Sequence, residues 1–130
     1  MPFLLYDYLN TSSENDFKAW TKALQPSERA KLNQKLDMLE KYGEALFPNT
    51  LTGTAIAGIF KLRIHGKVQL RPLLCRGPKH EEQAFTLLAG AKEIGSVLKP
   101  KGIESVADGR KTEVIRDPDN RRKPHVRITK

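Results

Sequence analysis

Polar side chains with donor groups recur at every second position in one stretch near the middle of the sequence. Lys61, Arg63 and His65 alternate there with large apolar residues, and Gln69 and Arg71 do the same after a glycine-containing turn. Guanidinium groups donate paired hydrogen bonds to phosphate oxygens, and imidazole exchanges protons near neutral pH. The pattern therefore suits contact with a polyanion and, through the histidine, acid–base chemistry. A histidine in a turn is also explained as a solvated bystander.

This alternation has the period of β-strands that have one buried face and one wet face. Matching apolar residues across the predicted hairpin places Ile64 opposite Val68, and the same register places Lys61 opposite Arg71. Like charges directly opposed destabilise a sheet, so the pair indicates a face offered to a polyanion. The alternative is a solvated cationic face without a partner.

Charge is distributed unevenly along the 130 residues, whose formal net charge is +8. Residues 1–60 carry a net charge of −1, whereas residues 61–130 carry +9. The basic half begins where the cationic strands begin. Such asymmetry favours a nucleic acid or another anionic partner.

The composition is typical of one soluble domain. No apolar run reaches the length of a membrane span, and residues 1–7 lack the features of a signal peptide. The lone cysteine, Cys75, cannot form an internal disulfide, and no histidines or further cysteines cluster with it to suggest a metal site. We therefore expect a cytoplasmic protein with no membrane partner, no metal and no cofactor.

The predicted elements run in the order strand, helix, helix, three strands and a short helix. The first strand covers residues 3–9, and Trp20 is predicted to anchor the first helix in the core. We expect a single domain over residues 1–115 and a basic, flexible tail over residues 116–130. His80 lies in a polar turn, where a solvated side chain is expected.

A helical hairpin after the first strand, then a meander with Leu62-Arg63, Arg71 and a strand leading to Gly90-Ala91-Lys92, resembles the RelE/HigB/ParE toxin superfamily. Within that superfamily it resembles the phage-associated HigB-like branch. The resemblance covers residues 3–115. It implies an α+β fold in the order β-α-α-β-β-β-α, in which a mainly antiparallel four-stranded sheet is covered on one face by the helical hairpin.

The resemblance also implies a toxin of a type II toxin–antitoxin system, which cleaves mRNA on the ribosome without a metal. Its expected partners are mRNA, the ribosome and a cognate antitoxin, a small helix-turn-helix protein encoded beside it. Arg63 and Arg71 match the family's strand arginines and would bind the scissile phosphate. Lys92 matches the lysine after the third strand, and His65 is a further candidate for proton transfer. The expected RNA-binding residues are Lys61, Lys67, Arg76, Lys99 and Lys101.

Two other functions remain open at this point. One is a non-nuclease toxin of the ParE kind that acts on DNA gyrase, and the other is a non-toxic, phage-derived nucleic-acid-binding protein. Both are favoured by Glu93, which stands where relatives often have a second lysine, and by the absence of Phe, Tyr or Trp after Phe85. The cationic strand face and the lysines around residue 100 favour the nuclease.

Overall fold

The computed structural model of the chain describes residues 2–78 and 83–129. His80 lies outside them, so its predicted solvation is untested. The helices are α1 (Asp16–Ala23), α2 (Pro26–Tyr42), α3 (Ile103–Arg116) and α4 (Pro118–Arg121), with a 3₁₀ turn at Gly43–Leu46. The strands are β1 (Leu4–Tyr8), β2 (Leu51–Gly53), β3 (Phe60–Leu62), β4 (Gln69–Leu70), β5 (Leu73–Arg76), β6 (Ala84–Ala89), β7 (Lys92–Ile94), β8 (Val97–Lys99) and β9 (Arg122–Pro124). In the described part of the chain, no helix has the length and apolar character needed to cross a membrane.

The fold is α+β, as predicted, but the sheet is larger than expected. Six strands form a mixed sheet in the order β2-β3-β5-β6-β1-β9, and β4-β7-β8 form a second, three-stranded sheet. The pair β1–β6 is parallel, whereas the other neighbours are antiparallel. The prediction of four strands is therefore wrong. The predicted strands supply the central order β3-β5-β6-β1, and the short strands β2 and β9 extend it at both edges.

The C-terminal segment is part of the fold, so the prediction of a flexible tail after residue 115 is wrong for the described residues. Strand β9 pairs with β1, with Arg122 opposite Tyr8 and Pro124 opposite Tyr6. The Arg122 guanidinium carbon lies 3.8 Å from the centre of the Tyr6 ring, a cation–π distance. The sequence pattern predicts a tail because polar and basic residues, rather than an apolar stripe, hold this segment against β1.

Capping residues explain where the two helices of the hairpin begin and end. The Asn15 side chain accepts a hydrogen bond from the Lys18 backbone N–H at 2.9 Å, which satisfies one free donor of the first turn of α1. Pro26 occupies the first turn of α2, where its missing N–H costs nothing. Gly43 ends α2 with φ of +50°, a conformation that side chains rarely adopt.

Helices cover both faces of the sheet. The helical-hairpin face, beneath α1 and α2, carries one apolar cluster: Leu5, Phe17, Leu24, Leu32, Leu36, Leu39, Leu51, Leu62, Ile64, Leu70, Leu74, Phe85 and Leu87. The α3 face carries the other: Tyr8, Ile59, Leu73, Cys75, Leu88, Ala89, Ala91, Ile103, Ala107 and Val114. The prediction that the second face is a wet cationic surface is therefore wrong over β5 and β6, which α3 covers.

The central hairpin has a different register from the predicted one. Ile64 pairs with Leu70, and Lys61 pairs with Leu73, so the strands are shifted by two residues. A shift of two keeps every side chain on its face, because two is the period of the pleat. The predicted opposition of Lys61 and Arg71 is consequently wrong. A like-charge pair occurs elsewhere, where Lys92 lies opposite Lys99.

Trp20 packs against the first apolar cluster, which agrees with its predicted role as a core anchor. A Cβ atom at Gly90 would overlap the Trp20 indole. We therefore expect Gly90→Ala to lower the free energy of unfolding by about 1–3 kcal/mol, as overpacking usually does. Urea denaturation followed by tryptophan fluorescence would measure the change.

Gly109 on α3 provides the matched control. A Cβ atom there meets nothing within 4 Å. Because alanine is the better helix former, Gly109→Ala should raise the free energy of unfolding by about 0.5–1 kcal/mol. Equal effects of the two substitutions would contradict the steric role of Gly90.

Candidate functional site

The predicted site residues do not all belong to one sheet. Lys61 pairs with Leu73, a residue of the α3 face, and alternation puts Arg63 on that face as well. Lys92 pairs with Leu70, which belongs to the helical-hairpin face. Lys92 therefore lies on the three-stranded sheet, whereas Lys61 belongs to the six-stranded sheet. Among the described residues, no hydrogen bond or ion pair joins Lys92 to Arg63.

Arg71 is a buried structural residue with 2% of its surface exposed. Its Nε donates to Glu93 Oε1 at 3.1 Å, and its Nη2 donates to Gln69 Oε1 at 3.2 Å. Its Nη1 donates to the backbone oxygens of Leu70 and Ile64 at 2.9 and 3.4 Å. Because these partners use most of its donors, the prediction that Arg71 faces solvent on a wet strand is wrong.

Glu93 forms ion pairs with two basic residues of this region, Arg71 and Lys61. Its Oε1 also accepts a hydrogen bond from Lys61 Nζ at 3.3 Å. Burial by itself would raise the pKa of Glu93, but the neighbouring Arg71 guanidinium and Lys61 ammonium outweigh burial and hold this pKa below its usual value. Glu93, whose presence in the sequence favoured the two non-nuclease functions, is thus an ion-pair partner of Arg71 and Lys61.

The lowered pKa of Glu93 predicts a pH dependence of stability. A depressed carboxyl pKa contributes stability above the unfolded-state value, and this contribution is lost as the pH falls through the folded-state value. The stability difference between the wild type and Glu93→Gln should therefore shrink as the pH falls below 4.5, the unperturbed value. Urea unfolding at a series of pH values would measure it. A difference that stays constant from pH 7 to pH 3 would contradict the prediction.

His65 is exposed, and its neighbours determine which ring nitrogen carries the proton in the neutral form. His65 Nδ1 lies 2.9 Å from Gln69 Oε1. Gln69 Oε1 also accepts a hydrogen bond from Arg71. Because a guanidinium group can only donate, this contact identifies the Gln69 atom as the amide oxygen, which can only accept a hydrogen bond from the imidazole. His65 Nδ1 must then carry the hydrogen. The lone pair of Nε2 remains available to take a proton from a substrate.

Arg63 lies between Lys61 and His65 on the same side of the strand. Its backbone N–H donates to the Thr50 carbonyl at 2.7 Å, which fixes the strand against the edge of β2. Its side chain is half-buried, and none of the described residues forms a hydrogen bond or ion pair with its guanidinium group. Arg63 and His65 therefore form an open pair, with the Gln69–Arg71–Glu93–Lys61 network behind them.

Arg76 is occupied by intramolecular contacts. Its guanidinium group makes two hydrogen bonds to the Glu44 carboxylate, at 2.6 and 2.8 Å. It also lies over the rings of Phe47 and Phe60, at 5.3 and 4.7 Å from their centres. The hydrogen bond to Glu44 raises the pKa of Arg76, against the lowering effect of burial. Arg76 is thus the predicted RNA-binding residue that is held most firmly by the protein.

The other predicted RNA-binding lysines are more open. Lys67 is exposed at the tip of the β3–β4 hairpin, close to His65 in sequence. Lys99 is exposed on β8 opposite Lys92, and Lys101 is exposed just before α3. Of these three lysines, Lys67 lies on the same hairpin as Arg63 and His65.

A buried Asp–His pair was missed in the sequence, because His125 was assigned to the tail. His125 Nδ1 lies 2.7 Å from Asp7 Oδ1, and the two side chains are 2% and 4% exposed. Asn15 Nδ2 donates to the second Asp7 oxygen at 2.8 Å. His125 Nε2 is buried without a hydrogen-bond partner. Because no substrate reaches that nitrogen, the pair fastens the C-terminal segment to β1 and α1 rather than acting as a catalytic dyad.

Two further observations limit the chemistry. Among residues 2–78 and 83–129, no three histidine, cysteine, aspartate or glutamate side chains group as they would to hold a metal ion. Burial raises the pKa of the Cys75 thiol to about 12, so this cysteine stays protonated at neutral pH.

Comparison with known proteins finds no matching family model, curated protein or solved structure.

Proposed function

We propose that the chain is a toxin of a type II toxin–antitoxin system, and that it cleaves mRNA by metal-independent attack of a ribose 2′-hydroxyl on the adjacent phosphate. The observation that carries the proposal is the orientation of His65. Its Nδ1–H is committed to Gln69, the residue is exposed, and alternation puts it on the same side of the strand as Arg63. The Arg63 guanidinium group has no hydrogen bond or ion pair with the described residues. A base beside a free guanidinium group is what this reaction needs.

In the proposed reaction, His65 Nε2 accepts the proton of the 2′-hydroxyl. The 2′-oxygen then bonds to phosphorus, and the bond from phosphorus to the 5′-oxygen breaks. The imidazolium returns its proton to the departing 5′-oxygen, so the products are a 2′,3′-cyclic phosphate and a 5′-hydroxyl. Arg63 donates hydrogen bonds to the phosphoryl oxygens, where negative charge increases in the transition state.

The residues behind the open pair have positioning roles in this proposal. Gln69 fixes the histidine tautomer, and Arg71 fixes Gln69. Glu93 holds Arg71 and Lys61 at 3.1 and 3.3 Å. Lys92 and Lys99, which pair on the three-stranded sheet, contribute only to the general attraction of RNA in this proposal.

The expected partner is a small antitoxin encoded by a neighbouring gene, which would be a helix-turn-helix protein. A protein with a net charge of +8 favours an acidic partner segment, and charge complementarity should make association fast and sensitive to salt. The mRNA and the ribosome are the proposed targets in the cytoplasm. Coexpression with the neighbouring gene would test the partner, because a true antitoxin should co-purify and restore growth.

A non-catalytic nucleic-acid-binding protein is the second candidate, and the burial of Arg71 favours it. With Arg71 buried, Arg63 supplies the one guanidinium group that the described part of the chain offers at the open pair. Such a protein would bind RNA through the same surface without breaking it.

A cleavage assay separates the two candidates. The purified chain would be incubated with mRNA in EDTA, with and without ribosomes, and the ends would be identified by primer extension and by phosphatase sensitivity. The nuclease predicts cyclic-phosphate and 5′-hydroxyl ends, which a His65→Gln preparation does not produce. Binding without new ends, under both conditions, would contradict the nuclease and leave the binding protein.

A further inference from the structure

A groove of about 360 Å³ lies between α1 and the chain around and after β9. One wall contains Lys18 and Lys22, and the other contains Lys123 and Arg127. It exists only because the basic C-terminal segment is a strand of the sheet. The hairpin site described above does not use any of these residues.

Three of the four basic residues in the groove are available to a ligand. Lys18 and Lys22 are exposed one turn apart on α1, and Lys123 is exposed on β9. No carboxylate among the described residues pairs with any of the three. Arg127 differs, because it contacts Asp37 at 3.0 Å and Glu40 at 3.6 Å.

The acidic group in the groove does not cancel this charge. Asp7 lines the groove, but its side chain is only 4% exposed. Its two oxygens already accept hydrogen bonds from His125 and Asn15. A bound anion would therefore meet three free ammonium groups before it met a carboxylate.

We infer that this groove binds the phosphate backbone of single-stranded RNA, as a second contact point distinct from the hairpin that carries His65. Ammonium groups on both walls can contact consecutive phosphates of one strand. Val126, which is 71% exposed, and Ile128 give the same groove an apolar surface suited to ribose and base. The inference depends on RNA being the ligand of the proposed function, although not on cleavage.

The topology places the two contact points well apart. Strand β9 is one edge of the sheet, and β3 is four strand positions away. At about 4.8 Å per position, the separation across the sheet is about 19 Å. A dinucleotide cannot reach both points, whereas a strand of about 20 nucleotides can. Affinity should therefore rise with RNA length beyond what one site explains.

Fluorescence anisotropy with labelled single-stranded RNA tests the inference. The experiment uses the His65→Gln protein, so that loss of cleavage cannot be confused with loss of binding. With a 20-nucleotide probe, the added pair Lys18→Ala and Lys22→Ala should weaken binding about tenfold. It should also reduce the slope of log affinity against log salt by about 1.4, the value for two phosphate contacts on a single strand.

A control double substitution removes two positive charges outside the groove. Lys41 and Arg116 are also exposed helical residues, and neither lines the groove. Lys41→Ala with Arg116→Ala should change affinity by less than about twofold. An equal loss in both pairs would overturn the inference in favour of a general charge effect. Binding of polyglutamate at the groove, with no binding of RNA, would overturn it in favour of an acidic protein partner.

Discussion

Replacing His65 with glutamine should reduce the rate of RNA cleavage by about 10²–10⁴-fold, the range that general acid–base groups contribute. Glutamine keeps a polar side chain beside Gln69 but cannot take and return a proton. Because His65 is exposed, the free energy of unfolding should change by no more than about 0.5 kcal/mol. Single-turnover cleavage of a defined mRNA would measure the rate, and urea denaturation would measure the stability.

Lys67→Gln is the control for this substitution. Lys67 is exposed on the same hairpin, so its loss should weaken RNA binding while the rate at saturating RNA changes little. If His65→Gln cleaves at the wild-type rate, the base lies elsewhere and the proposed mechanism is wrong.

Replacing Arg71 with methionine should lower the free energy of unfolding by about 3 kcal/mol. Removing one partner of a buried ion pair costs about 3–5 kcal/mol because the other charge loses its compensation. The lower end applies here, since the Glu93 side chain is 23% exposed and keeps its contact with Lys61. Gln69 Oε1 and two backbone carbonyls would also lose a donor. The midpoint of urea unfolding, at unchanged slope, would report the loss.

Arg63→Met is the matched comparison, because Arg63 lies on the same face and its guanidinium group has no hydrogen-bond or ion-pair partner among the described residues. Its expected effect on stability is within about 0.5 kcal/mol. The double substitution Arg71→Met with Glu93→Leu should recover part of the loss, since it removes both charges. If Arg71→Met is as mild as Arg63→Met, the network does not stabilise the fold.

The central hairpin shows what alternation in a sequence predicts and what it does not. Apolar residues at even positions from 60 to 74 correctly indicated which side chains share a face. They did not indicate the pairing, because Ile64 can oppose Val68 or Leu70 without changing face. The longer turn decided the register, and no residue in the turn specifies it strongly.

Arg71 and His125 show why the candidate site was only partly predictable. Basic and polar residues are normally exposed, so their types gave no sign of burial. Both are buried because a distant residue pairs with them: Glu93 with Arg71, and Asp7 with His125. The side of the strand that His65 and Arg63 occupy follows local alternation, which one sequence displays. Their roles in a site stay predictions.

The connectivity of β1 has a consequence for how the protein is made. This strand pairs with β6, where Leu4 lies opposite Ala84, and with β9, where Tyr6 lies opposite Pro124. Its backbone partners are thus synthesised long after it, and such non-local pairing slows folding. A nascent chain cannot complete its sheet before residue 124 has left the ribosome. If the chain cleaves translated mRNA as proposed, this delay would protect its own message while residues 1–124 are being synthesised.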